Sequence, residues 1–391
     1  VYSSPRRPLR DRSRRNLDFL PPRPAGRLVS KTWAQQRDLV ELVHCAFGVR
    51  LQQVELPETA RDRVPAHRYL FVARSLFDIA TRYFARIGRS VELSFSVQPD
   101  ILHCTYPIPL RAKGARNIYT IHDLIPLRLP GTTLDNKRLM HRRLSRIAAE
   151  ADHIVTVSEH SRRDIIDLLG IDSRRVTNTY EAVEFAPEDV ARPDDAVAAE
   201  LETRFGLAHR GYLLFFGAIE PKKNVKALLD AYLASAVEVP LVIVSGGGWS
   251  NAVETRMLAA IEAQECALPV HKKNVRRLDY VGRPALLSLI KGAAAVVFPS
   301  LYEGFGLPVL EAMTLGTPVI TSRVSSLPEI GGDAVLYVDP HDTADIARAI
   351  KAVVADPDLR ADMIARGLRQ AELFSLARYR ERIAALYQGL A

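Results

Sequence analysis

Three cysteines, Cys45, Cys104 and Cys266, are too few, too odd in number and too widely spaced for a disulfide framework or a zinc site. They fit a reducing compartment better. Long apolar runs are missing as well, and none nears the roughly 18 to 20 residues that a membrane-spanning helix needs. No apolar h-region follows the basic N-terminus, so no secretory signal is legible. The sequence also has no initiating Met, no internal repeat and no sustained low-complexity tract.

What remains is the composition of a soluble globular protein, 48% apolar and 25% charged. At 391 residues the chain is too long for one ordinary core, so two domains are expected. The net charge of +8 is unevenly placed, because residues 1–31 alone hold nine Lys/Arg against Asp11 and Asp18. That leaves a near-neutral body carrying a basic N-terminal segment. The segment suits an anionic surface such as a membrane, at about 1 kcal/mol per basic residue. It equally suits a solvated leader.

Short apolar runs at 100–104, 117–121, 153–157, 212–216, 241–244, 294–298 and 319–321 read as strands, several of them apolar on both faces as in a covered parallel sheet. Helical periods fall at 136–149, 161–169, 225–236, 252–264 and 308–315, with a terminal helix at 376–390. Alternating strand and helix implies doubly wound α/β domains, which bind ligands at the carboxyl ends of their strands. The Pro- and Asp-rich stretch 184–200 lacks apolar periodicity and reads as the boundary between residues 1–195 and 196–375.

In "VFPSLYEGFGLPVLEAM" two carboxylates, Glu303 and Glu311, flank a Gly-Phe-Gly turn after an apolar run. Gly304 and Gly306 permit close approach to the backbone, and Pro308 is a good first residue for a helix, which sets Glu311 in its first turn. The free amides of such a turn form an anion site suited to phosphate. A carboxylate repels phosphate but accepts from hydroxyls. Two acceptors about a diphosphate cradle suit a nucleotide sugar, which carries hydroxyls on both sides of its phosphates. The plainer reading is a helix stabilised by its own dipole and a solvated Glu303.

"GAIEPKKNVKALLDAY" follows a strand and opens a helix, where Lys222 and Lys223 are poorly placed for helix stability but well placed to neutralise a diphosphate. "IYTIHDLIPL" puts His122 at a strand end facing the expected cleft, with Asp123 ordering the loop. In "VTVSEHSRRDI", Ser158 reads as a helix cap, and Ser161 with Asp164 has capping-box spacing. The glycines of "LVIVSGGGWSNA" fail the dinucleotide spacing. Asp356-Pro357-Asp358 lies far from the turn, and nothing else supplies an oxygen cage, so no metal is expected.

"PSLYEGFGLPVLEAMTLGTPVITS" closely resembles the donor-site signature of family 4 glycosyltransferases, retaining enzymes of the GT-B fold, and the resemblance runs from about residue 100 to the C-terminus. It implies two Rossmann-like domains facing a central cleft, with a C-terminal helix (376–391) that can cross back. It implies that Glu303 faces the donor sugar, that the amides of Gly304, Phe305, Gly306 and Leu307 meet the diphosphate, and that Glu311 holds the ribose. Gly217, Lys222 and Lys223 would form the basic loop, although Ala218 stands where many members carry a basic residue. His122 would face the sugar from the acceptor side, and Tyr280 and Val281 match a position against the nucleotide base. The opening "VYSSPRRPLRDRSRR" resembles material that follows the family's first glycine-rich loop, so the first βα unit is expected to be missing or unusual.

The details of "IHDLIPLRLP" look most like bacterial O-antigen and exopolysaccharide mannosyltransferases. The expectation is therefore metal-independent transfer of mannose from GDP-mannose, as co-substrate and not cofactor, to a glycan or lipid-linked acceptor. The enzyme would be cytoplasmic, or peripheral at the inner membrane face through residues 1–31, with no nucleic-acid partner. The alternatives are a hexosyltransferase using a UDP-sugar and a soluble acceptor, and a non-catalytic protein that binds anions or membrane.

Overall fold

The computed structural model describes residues 2–4, 45–54, 69–246, 256, 275–279 and 281–390. Most of the basic segment, Cys266, Tyr280 and the expected helix at 252–264 (Arg256 apart) lie outside the described residues.

The first half is organised on a four-stranded parallel sheet of Ile101–Cys104 (β1), Arg116–Thr120 (β2), His153–Thr156 (β3) and Val176–Asn178 (β4). Its spatial order is β4-β3-β2-β1. The second half is a six-stranded parallel sheet of Leu213–Phe216 (β5), Leu241–Val244 (β6), Val275–Leu278 (β7), Ala295–Phe298 (β8), Val319–Ser322 (β9) and Leu336–Val338 (β10). Its order, β7-β6-β5-β8-β9-β10, reverses direction between β5 and β8. That reversal opens a crevice beyond the carboxyl ends of β5 and β8, where doubly wound sheets take their ligands.

Burial explains the composition of these strands. Every residue of β5, β6, β8 and β9 is buried, because helices cover both faces of the sheet. The helices Val225–Ser235 and Thr343–Ala355 pack on one another over one face, with Leu228, Leu229, Ile346 and Ile350 buried between them and the strands. Around the first sheet, Tyr119, Ile121, Leu144, Ile147, Ile154 and Ile165 form a separate core. Two small three-stranded sheets flank it, one of them entirely parallel (Val49–Arg50, Val91–Ser94, Leu110–Ala112) and packed with the helix Leu76–Ile87.

The stretch read as the domain boundary, 184–200, contains Pro187–Val190 and the start of the helix Asp194–Phe205. Only Val197 and Leu201 of that helix are buried, and two apolar residues four apart are too weak a period to read. The C-terminal helix Leu376–Leu390 returns to the first half. The Tyr387 hydroxyl lies 2.6 Å from His103 Nδ1 on β1, and the Arg382 guanidinium stands over the Tyr180 ring.

Candidate functional site

Two loops meet at the crevice of the six-stranded sheet. After β5 the backbone turns at Gly217, whose φ of 135° favours glycine and whose absent Cβ leaves open space. A short 3-10 turn, Pro221–Lys223, follows, and Asn224 in a left-handed conformation starts the next helix. The Asn224 side-chain amide donates to the carbonyls of Pro299 and Pro340, while the Leu301 amide donates to the Lys222 carbonyl at 2.7 Å. The lysine loop is thereby laced to the loop after β8. Across that lacing Lys223 Nζ donates to Glu303 Oε1 at 2.7 Å, with 14% and 8% of the two side chains exposed. The same ammonium lies 4.7 Å from the centre of the Phe298 ring, a favourable cation–π position. Lys222 Nζ is 3.9 Å from Glu220 Oε2.

The Glu303–Gly306 bend is buried and held through its carbonyls. Gly304 O accepts from Ser158 Oγ (2.7 Å) and Ser161 Oγ (3.1 Å), and Ser326 Oγ lies within donating distance of both Glu303 O and Phe305 O. The Glu303 amide donates to Ser325 Oγ. Among the described residues, the amides of Gly304, Phe305, Gly306 and Leu307 meet no acceptor. Gly304, Phe305 and Gly306 are buried and Leu307 is exposed; buried amides are costly to leave unmet, and this run leads into a helix N-terminus, an arrangement that can take an anion. Gly306, at φ 114°, caps the helix Leu307–Thr314 and puts Pro308 second in it. Glu311 therefore lies in the second turn, not the first, because the helix starts one residue earlier than the proline suggested. Its carboxylate meets Arg283 Nη1 at 3.1 Å, and burial pushes its pKa up against the pull of that guanidinium.

The first sheet supplies the opposite wall. A Cβ on Gly304 would stand 2.8 Å from Asp123 Cβ and 3.2 Å from the His122 carbonyl, so glycine alone allows this approach. His122 Nε2 faces Glu181 Oε1 across 3.9 Å. Burial lowers the His122 pKa, with Asp123 opposing, and burial followed by Asp123 raises that of Glu181 to about 7. Asp123 Oδ1 accepts the Ile125 amide at 3.0 Å and orders its loop as expected. A cavity of about 380 Å³ opens between the walls, lined by Asp123, Ile125, Pro126, Leu134, Glu220 and Lys222 among others.

The crevice thus brings together Gly217, Lys222, Lys223, Glu303, Gly304, Phe305, Gly306, Leu307 and, across it, His122, while Glu311 stands at the far end of the turn. Val281 is partly buried against the main core, and Tyr280 falls outside the described residues. Ser158 caps Glu159–Leu169 by accepting the Ser161 amide, but Asp164 closes no capping box. It pairs with Arg128 at 2.6 Å and bonds the Tyr302 hydroxyl across the interface, since the helix starts too early for the box. Asp356 accepts the Leu359 amide and caps a helix. Sequence reasoning missed Glu181, Arg283 and Glu329, whose carboxylate accepts the amides of Glu159 and His160 at 2.9 Å each. None of the three carries a local signal, because their partners are far along the chain.

Two family models match the chain: Glycosyltransferase Family 4 over residues 27–184 and Glycosyl transferases group 1 over residues 204–370. Among similar proteins, the O-antigen chain mannosyltransferase B of Escherichia coli is 35% identical over 66% of this chain and 67% of its own length. The serotype-specific mannosyltransferase WbdA of Escherichia coli is 27% identical over 79% of this chain, which spans 40% of that larger protein. Among solved structures, the sucrose-phosphate synthase of Thermosynechococcus elongatus superposes with a TM-score of 0.61 at 19% identity, covering 93% of this chain and 94% of the other. That likeness shows the two-domain GT-B fold.

Proposed function

The chain belongs to the family 4, group 1 glycosyltransferases, and on that premise we propose that it moves mannose from GDP-mannose to a glycan or lipid-linked acceptor with retention of configuration. The observation that carries the reading is the 304–307 bend, whose amides lack an acceptor while carboxylates stand on either side. A diphosphate satisfies such amides with its oxygens and meets the positive end of the helix with its charge, so this reading needs no metal. Glu303 then accepts from hydroxyls of the donor sugar, and Glu311 from those of the ribose.

As the glycosidic bond lengthens, negative charge gathers on the departing phosphate. The amides, Lys222 and Lys223 stabilise it, and Lys223 has two N–H groups left after its bond to Glu303. His122, held toward its neutral form by burial, faces the sugar from the other wall. The two mannosyltransferase relatives support mannose as the sugar. Among the described residues no helix is long and apolar enough to cross a membrane, and a lipid-linked acceptor would give the basic residues 1–31 a role at the anionic inner surface.

A thermal-shift screen across GDP-, UDP- and dTDP-sugars, followed by product analysis, tests the reading. GDP-mannose should stabilise the protein most. Stabilisation by UDP-sugars alone would move the reading to the other hexosyltransferase class, and stabilisation by none would leave a non-catalytic anion binder.

A further inference from the structure

Glu311 is an odd ligand to leave in place unaided. Its side chain is 15% exposed, and burial alone drives a carboxyl toward its neutral form, which has lost part of its power to accept from a hydroxyl. Arg283 is what opposes this. It enters from the first turn of the helix Arg283–Lys291, two residues beyond Val281, and its Nη1 meets Glu311 Oε1 at 3.1 Å. On its other side the guanidinium stands 5.3 Å from the centre of the Phe185 ring, itself buried where the chain passes from the first half to the second. The helix therefore does not hold this arginine alone. An aromatic ring from a different segment lies under the guanidinium as well.

Among the described residues, Arg283 is the charged group that acts on Glu311. The helix Pro357–Glu372 meets this part of the Leu307–Thr314 helix through Gly367 on Met313, not through a charge. The bond occupies one carboxylate oxygen and leaves the other for a ligand. More than half of the guanidinium side chain remains exposed, so burying Arg283 is not the purpose of the pair.

We propose that Arg283 is a positioning residue for donor binding: it fixes Glu311 in one rotamer with a positive charge against one carboxylate oxygen, and Phe185 in turn fixes Arg283. This rests on the reading that Glu311 grips the ribose. A lysine would keep the charge without the flat fork, and a methionine would keep the length without either.

The test uses nucleotides that differ only at the ribose. GDP and 2′,3′-dideoxy-GDP, with UDP and 2′,3′-dideoxy-UDP as a second pair, are titrated calorimetrically into the wild type, Arg283→Met and Arg283→Lys across a pH series. The wild type should bind the ribose form about 10- to 100-fold more tightly than the dideoxy form, the value of hydroxyl bonds to a charged acceptor. In Arg283→Met that ratio should fall, most at the low end of the pH series, and recover as pH rises, because Glu311 unopposed by the guanidinium ionises later. Arg283→Lys should keep the wild-type pH profile with a smaller ratio. A wild type that ignores the ribose hydroxyls, or binds no nucleotide, overturns the ribose reading and this proposal with it. A wild type that discriminates while Arg283→Met discriminates equally at every pH overturns the positioning role alone.

Discussion

The two walls of the cleft handle their charges differently. On the 303–311 wall each carboxylate has a cation against it, Lys223 at 2.7 Å and Arg283 at 3.1 Å, and serines fix the bend between them. On the 122–181 wall the nearest approach of imidazole to carboxylate is 3.9 Å, and burial drives His122 toward neutral imidazole and Glu181 toward the protonated acid. One wall is built to hold a fixed charge pattern and the other to change its protonation near neutrality. A diphosphate has an unvarying charge, whereas an attacking hydroxyl must lose a proton. The contrast follows the chemistry proposed for each side.

The largest effect should come from breaking the tight wall. Glu303→Ala strands the Lys223 ammonium in a site where only 14% of its side chain is exposed. Losing one partner of a buried pair costs about 3 to 5 kcal/mol, so the melting temperature should fall by several degrees and transfer should be abolished. Glu303→Gln keeps a hydrogen-bond acceptor for Lys223 and should regain most of the stability but little of the activity. Melting curves and a transfer assay on both variants separate the structural part of the pair from the chemical part. Equal stability of the Ala variant and the wild type would show that Glu303 is not paired in solution.

Next in size is a change that drives the walls apart without touching a charge. Gly304→Ala would push a methyl to 2.8 Å from Asp123 Cβ and 3.2 Å from the His122 carbonyl. The backbone there is not left-handed, so the cost is purely one of contact between the walls. Misplacing reacting groups by about an ångström can lower transfer on the order of 100-fold. Nucleotide affinity should change far less, since the amide bend belongs to one wall. A parallel loss of both would mean that the bend itself had been deformed.

How much of this was legible follows from where each signal lives. "LLFF", "LVIV" and "AVVF" announce buried parallel strands because both faces are apolar, and the glycine bend announces free amides by its local backbone. β7 was missed because "VRRL" carries two arginines, one of which reaches the carbonyls of Phe205 and Gly206. The partners of the site residues were missed for another reason. Tyr302 and Asp164 stand 138 positions apart, and Glu329 lies 169 from the amide of His160 that it accepts. No short window holds both members of such a pair. The misplacement of Glu311 by one helical position shows the limit from the other side, since a proline tolerates the second position of a helix as well as the first.

A smaller effect should appear on the loose wall as a dependence on pH. The Glu181 carboxyl, raised from 4.5 to about 7 by burial and then by Asp123, keeps its proton in the fold where the unfolded chain has lost it. The folded state thus binds more protons between those values, and this group's contribution to stability declines as pH rises through the window. Glu181→Gln removes that slope. Denaturant unfolding of both proteins from about pH 4.5 to about pH 8 should reveal a difference on the order of 1 to 2 kcal/mol, discounted because 27% of the side chain is exposed. Identical slopes would place Glu181 in contact with water and erase the contrast between the walls on which its protonation rests.

The smallest effect tests what joins the walls. Ser158 and Ser161 both bond the Gly304 carbonyl, but Ser158 also accepts the Ser161 amide and caps its own helix. Ser161→Ala removes only its share of the bridge and should cost about 0.5 to 1.5 kcal/mol. Ser158→Ala removes a bridge and a cap together and should cost about twice that. The order matters more than the sizes. If Ser161→Ala proved the costlier in melting experiments, the cap would contribute nothing. The bend would then hang from the first half through Ser161 alone, and the fixed wall would owe its rigidity to its opposite.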